Sequence, residues 1–398
     1  MSRLRHDGAV TDRIVVVGGG IATVRLVETL RRLGSEAEIV VIAAEPHSPY
    51  DRPPLSKAIL VGDDAEPPYL RSATEYDDWN VDLRLGCRAV GVRPDAAAVD
   101  LEDGTQLPYD ELVIATGAQP RQLPGMDSSD VHLLRTFDDA VRLRAAMRAS
   151  RRLVVVGAGF IGCEVAASAR ALDVDVTVVD VLAAPLVRIV GNQVAAEVTR
   201  MHKDAGVDLR MNSTLADHAD LADAPVTLVA VGVAPTTGWL DGSGIAVEDG
   251  VRCDASGRTS APHVWAMGDV AALHDPIAGR QRRFEHWTSA GDQAVVVARN
   301  LAGGQDGEDV HRLTEVPYFW SDQYGIKLQS LGTPSPGDDI EVLAVGPHKR
   351  LLALYGAAGT FSGVVGFGVP RHVMRMRSLL AARASFDEAV ASVVDESD

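Results

Sequence analysis

Leu153-Val154-Val155-Val156-Gly157-Ala158-Gly159-Phe160-Ile161-Gly162-Cys163-Glu164 is the stretch whose reading decides the fold. A β-branched run of this kind forms a strand, and the glycines turn it sharply into a helix. Gly157 makes the turn, Gly159 lets backbone approach a pyrophosphate with no Cβ in the way, and Gly162 allows the helix to pack close on its strand. The helix start presents unbonded N–H groups to the anion. Outward from the turn, the spacing predicts a helix over residues 161–172 and a strand over 174–179, then Asp180 where a ribose hydroxyl needs an acceptor. An acid there favours NAD, because a carboxylate repels the 2′-phosphate of NADP.

The same pattern stands about 140 residues earlier: a strand at 14–17, the turn Gly18-Gly19-Gly20-Ile21-Ala22-Thr23, a helix over 21–33, a strand at 38–42, and then Glu45. Thr23 occupies the third glycine position of this copy, so helix and strand are expected to pack less closely than in the second. Two dinucleotide turns in one chain point to a flavoprotein that moves electrons.

Composition narrows the class. The 398 residues suffice for two or three domains with full cores, and 46% hydrophobic with 23% charged residues is the balance of a soluble globular protein. The stretch Met1–Gly8 has no apolar segment of the secretory kind, and no run long enough to cross a membrane follows, so a cytoplasmic location off the membrane is expected. A net charge of −17 excludes nucleic acid as a general partner. The three cysteines, Cys87, Cys163 and Cys253, include no close pair, which excludes the dithiol relay of a disulfide reductase. Cys163 is read as core, and Cys87 and Cys253 as inert. No metal site is assigned.

Along the chain, the proline-rich segment 46–57 reads as a loop leading into a short helix. Strands are expected near 83–85, 97–101 and 112–115, the last running into Thr116-Gly117. The second glycine turn then opens an inserted domain whose last strand, 227–231, runs into Gly232. A strand at 264–267 and a helix over 289–301 return the chain to the first domain. From about residue 316, five β-rich runs and two helical segments predict a small α+β domain. The fold class is α/β: two Rossmann-like dinucleotide-binding domains, for FAD and NAD, plus a small C-terminal α+β domain. The expected boundaries are 1–114 and 244–315 for the FAD domain, 115–243 for the NADH domain, and 316–398 for the last.

Several segments occur in a telling order: Asp51-Arg52-Pro53-Pro54-Leu55-Ser56-Lys57, Ala115-Thr116-Gly117, Leu134-Arg135-Thr136, the second glycine turn with Glu164, Gly268-Asp269-Val270, Glu285-His286-Trp287 and Tyr318-Phe319-Trp320-Ser321-Asp322-Gln323. Over nearly its whole length the chain resembles the FAD-containing, NADH-dependent ferredoxin reductases of bacterial oxygenase systems, the putidaredoxin reductase-like family, related in fold to apoptosis-inducing factor. The resemblance implies that Lys57 lies beside the flavin N5 edge as a cation for the reduced ring, and that Glu164 pairs with it and positions the nicotinamide. It implies FAD contacts for Ala22, Arg52, Val90, Thr116, Gly117, Arg135, Asp269 and Trp287, beside Gly18, Gly20 and Glu45. On the NAD side it adds Ile161, Arg188 and Gly232 to Gly157, Gly159, Gly162 and Asp180. Two departures stand out: Ala43-Ala44-Glu45 where the family usually has Gly-Asp-Glu, and Gly366–His372 where relatives often carry an Asn-x-Pro-x-Asp-Phe pattern, which bears on docking specificity.

The activity so implied is hydride transfer from NADH to FAD and then single electrons to a small, acidic 2Fe–2S ferredoxin that feeds a monooxygenase or dioxygenase. The chain would act as a monomer or homodimer. The ferredoxin would dock near Trp287 and Trp320, attracted by basic residues drawn from Arg280, Arg282 and Arg283 or from Arg371, Arg375 and Arg377. Every cofactor motif is shared with NADH oxidases and with rubredoxin or quinone reductases, which stay open as alternatives. So does an NADH-responsive redox-sensing interaction protein.

Overall fold

The computed structural model describes residues 5–6, 9–10, 13–275, 280–303, 310–346, 348 and 350–394. Met1–Leu4, Asp7 and Gly8 of the N-terminal stretch read above, and the Arg280 side chain, lie outside that description. The chain falls into two compact units, one of Met1–Asp51, Glu66–Gln119 and Ala234–Glu315, the other of Arg52–Ala65, Pro120–Val233 and Val316–Asp398.

In the first unit a parallel sheet runs in the order Val264–Ala266, Glu111–Ile114, Arg13–Val17, Glu38–Ala43, Val81–Leu85. Val15 stands opposite Val40 on one side and Leu112 on the other. The central strands are apolar at nearly every position because both faces are covered. Ile14, Val16, Ile39 and Val41 pack on the helices Ile21–Arg32 and Trp287–Leu301, while Val15, Val17, Val40 and Leu112 pack on the side that holds Val99, Leu107 and Val251. The first helix buries Ala22, Leu26, Val27 and Leu30, one stripe at helical spacing, and carries Arg31 and Arg32 in its last turn, where the carbonyl end of the helix dipole favours cations.

The second unit holds two sheets. Its parallel sheet runs Val131–His132, Thr227–Val229, Arg152–Val156, Asp175–Asp180, Asp208–Met211. Its antiparallel sheet runs Tyr318–Gln323, Ile326–Gly332, Thr360–Phe367, Arg350–Ala357, Asp339–Val345. The helix Val187–Asp204 packs on the antiparallel sheet: its Val190, Val194 and Val198 share a core with Cys163, Tyr355, Val365 and Phe367. The other face of the antiparallel sheet carries the closing helices Pro370–Ala381 and Phe386–Val394 through Val373, Met376, Ala389 and Val393.

Two long helices go beyond the sequence expectations, Phe137–Ser150 and Val187–Asp204. The first is started by a reciprocal cap between Thr136 and Asp139. The second is interrupted at Gly191, whose φ of 72° breaks the regular ladder. The proline-rich loop also differs from a simple connection: Arg52–Ala65 groups with the second glycine turn and the C-terminal sheet rather than with the strands before it.

Candidate functional site

Each glycine turn is fixed by backbone that passes close to it. A Cβ on Gly18, at φ +127°, would meet the Ala115 carbonyl oxygen at 2.0 Å, and one on Gly157, at φ +108°, would meet that of Ala230 at 2.5 Å. Gly20 and Gly159 serve as the N-caps of their helices without a side-chain cap, so the first-turn N–H groups face outward. Around Gly20 a Cβ would meet nothing within 4 Å, leaving room for a ligand oxygen. A pyrophosphate fits both places on chemistry and on space.

The third positions differ as expected. At Gly162 a Cβ would lie 2.0 Å from the Gly157 carbonyl oxygen. In the first copy the buried Thr23 instead donates its hydroxyl to the Gly18 carbonyl at 2.6 Å. The side chain that holds the helix off its strand thus returns a hydrogen bond to the turn. Asp180 accepts from Ala158 N–H at 2.6 Å and from Leu182 N–H at 2.8 Å, so it braces the second turn. Arg188 is exposed at the start of the Val187–Asp204 helix, Ile161 and Gly232 are exposed, and the Gly232 backbone bonds Arg121 N–H at 2.9 Å.

The rest of the first-unit candidates gather around its sheet ends. Gly268, at φ +75°, brings the Gly268–Val270 turn against Ala22, and its N–H donates to Gln293 Oε1 at 2.7 Å while Gln293 Nε2 is a buried donor with no hydrogen-bond partner. Asp269 is half-buried on this turn. Thr116 donates to the Thr236 carbonyl at 2.8 Å, Glu45 accepts from the Tyr50 hydroxyl, and Trp287 Nε1 donates to Asp51 at 2.7 Å. Gly117 holds φ 68°, and Val90 is exposed on the strand Ala89–Arg93. An orphaned donor, an uncapped helix end and open space beside Gly20 together fit a dinucleotide such as FAD.

In the second unit, the resemblance-derived pair is a direct contact: Lys57 Nζ donates to Glu164 Oε2 at 2.7 Å, with the glutamate side chain 4% exposed. Glu164 sits one turn into the Phe160–Ala171 helix, and Lys57 follows the short turn Pro53–Ser56. Ser56 Oγ donates to the same carboxylate oxygen at 2.5 Å, and Ser321 Oγ to the other at 2.8 Å. Behind Ser321 lie Gln323 and His202, all three buried. Burial pushes the His202 imidazole down to about 4, against a smaller upward pull from Gln323. Arg52 donates to the Arg135 carbonyl at 2.6 Å. Sequence reasoning named Ser56, Ser321 and Gln323 only as letters of two motifs and missed His202, which stands at an inward position of an unpredicted helix.

Cys163 and Cys253 are buried, all three thiols are free, and burial raises the pKa of each. Of the basic residues, Arg283 is corrected: its side chain is 6% exposed and bridges Asp249 at 3.2 Å and Glu285 at 2.6 Å, so it offers no charge to a partner. Arg282 is half-buried over the Phe284 ring at 5.0 Å, whereas Arg371 and Arg375 are exposed on the Pro370–Ala381 helix. Trp320 stacks on Tyr318 at 6.0 Å between ring centroids.

Two strand–glycine turn–helix units, one with Asp180 closing its second strand and one with Glu45 just past it, define a two-dinucleotide oxidoreductase. Accordingly residues 12–294 match the family model described as pyridine nucleotide-disulphide oxidoreductase, and residues 318–397 the one described as reductase C-terminal. The chain belongs to the ferredoxin reductase components of bacterial oxygenase systems, the putidaredoxin reductase-like family. It is 38% identical to the ferredoxin–NAD(+) reductase component of the anthranilate 1,2-dioxygenase system of Burkholderia cepacia, over 94% of this chain and 96% of that one. It is 35% identical to rhodocoxin reductase of Rhodococcus erythropolis, over 92% and 89%. The solved covalent complex of putidaredoxin reductase with putidaredoxin superposes with a TM-score of 0.87 at 30% identity, covering 96% of this chain and 99% of that one. Among the described residues no helix is long and apolar enough to cross a membrane.

Proposed function

We propose that this chain binds FAD through its first glycine turn and NADH through its second, and passes electrons singly to a small 2Fe–2S ferredoxin. The protein is an NADH-dependent ferredoxin reductase supplying electrons to a dioxygenase or monooxygenase system. Bound FAD would supply the chemistry that nicotinamide lacks, accepting two electrons at once and releasing them one at a time. Gly18, Gly20, Thr116, Gly117, Asp269 and Trp287 would hold it, with Ala22 and Val90 packing beside it and Glu45 on its ribose; Arg52 and Arg135 would add further contacts. Gly157, Gly159, Ile161, Gly162, Asp180, Arg188 and Gly232 would hold NADH.

The observation that carries this reading is Glu164, a buried carboxylate one turn into the Phe160–Ala171 helix that accepts from Lys57 and two serines. A carboxylate so fixed can accept the carboxamide N–H of a nicotinamide and set its face, and Lys57 is the cation proposed to favour the reduced ring. The three unpaired, high-pKa thiols support an outgoing route that uses no dithiol. Arg371 and Arg375 are the proposed docking charges, with Trp320, Trp287 and Arg282 as further candidates. A cytoplasmic site of action follows from the need for NADH. The test is NADH-driven reduction of cytochrome c by the FAD-loaded protein with and without an added 2Fe–2S ferredoxin: strict ferredoxin dependence is expected, and equal rates without it would contradict the assignment.

A further inference from the structure

Glu164 is the end of a longer chain of hydrogen bonds whose directions are forced. An ionised carboxylate has no hydrogen to give, so Ser321 Oγ, 2.8 Å from Glu164 Oε1, must donate to it. The Ser321 oxygen is then the acceptor for Gln323 Nε2 at 3.1 Å. That places Gln323 Oε1 toward His202 Nε2, 3.1 Å away, and an amide oxygen can only accept. The imidazole proton therefore sits on Nε2, leaving the Nδ1 lone pair to accept from the Tyr324 hydroxyl at 2.8 Å. Four links run one way, from a half-buried tyrosine to the carboxylate, through three side chains that are all but sealed from water.

We propose that Tyr324, His202, Gln323 and Ser321 are positioning residues for the reaction: the chain fixes the Ser321 hydroxyl hydrogen on Glu164 and so fixes which carboxylate lone pair faces the nicotinamide. The proposal rests on the assignment of Glu164 to the nicotinamide. A carboxylate offers about four acceptor sites. Lys57, Ser56 and Ser321 fill three of them, which leaves one for the carboxamide N–H. The chain orients rather than conducts, since the Gln323 amide neither gains nor loses a proton near neutral pH. The neutral state of His202 that this direction needs agrees with its burial.

The carboxylate sets the direction, and the Tyr324 hydroxyl at the far end stabilises it by donating to His202 Nδ1. Without the Tyr324 hydroxyl, Nδ1 loses its donor and the preference for the Nε2–H tautomer weakens; in the fraction that adopts the other tautomer the Gln323 amide turns over and Ser321 donates to Gln323 Oε1 instead of to Glu164. The experiment uses the FAD-loaded full chain as wild type, Tyr324→Phe, Ser321→Ala and Glu164→Gln. Calorimetry gives the Kd for NAD+, and nitrogen NMR of histidine-labelled protein gives the His202 tautomer. The expected results are an Nε2–H tautomer in the wild type, a shift toward Nδ1–H in Tyr324→Phe, and NAD+ binding weakened about threefold in Tyr324→Phe and about tenfold in Ser321→Ala. A purely architectural tyrosine would leave the tautomer in place. An Nδ1–H tautomer in the wild type, or wild-type NAD+ affinity in Tyr324→Phe and Ser321→Ala while Glu164→Gln binds weakly, would overturn the inference alone. Wild-type affinity in Glu164→Gln would overturn the reading of Glu164 itself, and the inference with it.

Discussion

Glu164 gathers one cation and two hydroxyls into a pocket of the second unit where its carboxylate is almost fully out of water. Removing one partner of such a buried pair leaves the other charge stranded, so Lys57→Met is expected to lower stability by about 3 kcal/mol, read by denaturant unfolding. Gly162 is constrained in a different way. An alanine Cβ there meets backbone at 2.0 Å, so Gly162→Ala must push the helix off its strand and carry the first-turn N–H groups away from the pyrophosphate. The expected outcome is a KM for NADH raised at least about tenfold, with flavin content and flavin spectrum unchanged. Thr23 shows that the same position can be solved otherwise. Its hydroxyl replaces close approach by a hydrogen bond to Gly18, and Thr23→Val should weaken FAD retention by about 1 kcal/mol, measured as FAD released on dilution.

At the scale of elements, the helix Val187–Asp204 shapes the acid response through His202. The unfolded chain protonates this histidine near 6.5, whereas the folded chain resists until about 4, so the unfolded state binds more protons in between. Stability present above pH 6.5 is therefore lost as the pH falls toward 4, by about 2 kcal/mol at pH 5, and His286 in the other unit, also pushed down to about 4, adds in the same direction. Thermal unfolding of wild type and His202→Phe between pH 7 and pH 5 checks the sign: the mutant curve should be the flatter one. The helix itself was open to sequence reading. Val190, Val194, Val198 and Met201 recur at helical spacing, but Gly191 beside them reads as a breaker and masks the pattern. By contrast, the strands flanking both glycine turns were legible to within a residue or two, because parallel strands buried on both faces are nearly unbroken β-branched runs. The polar chain behind Glu164 was not. Ser321 and Gln323 share one face of a strand, but Ser56, His202 and that strand come from distant parts of the sequence, and no local period links the three.

For the molecule as a whole, a net charge of −17 sets the problem of attracting an acidic electron acceptor, and exposed arginines on the Pro370–Ala381 helix offer a local answer. Arg371→Glu with Arg375→Glu should raise the KM for ferredoxin about tenfold, and reduce its dependence on salt, while leaving reduction by NADH untouched. The residue pattern could point to these positions, but it could not reveal that Arg283 is spent on Asp249 and Glu285, since that depends on strand pairing between segments apart in sequence. The activity is electron flow from NADH through this protein to ferredoxin. It is tested most directly by mixing the FAD-loaded protein anaerobically with NADH or NADPH, following flavin bleaching, and then adding an oxidised 2Fe–2S ferredoxin. Rapid bleaching by NADH in preference to NADPH and rapid recovery of flavin colour on adding ferredoxin are expected; slow recovery with several ferredoxins, together with fast recovery on admitting oxygen or a quinone, would contradict that flow.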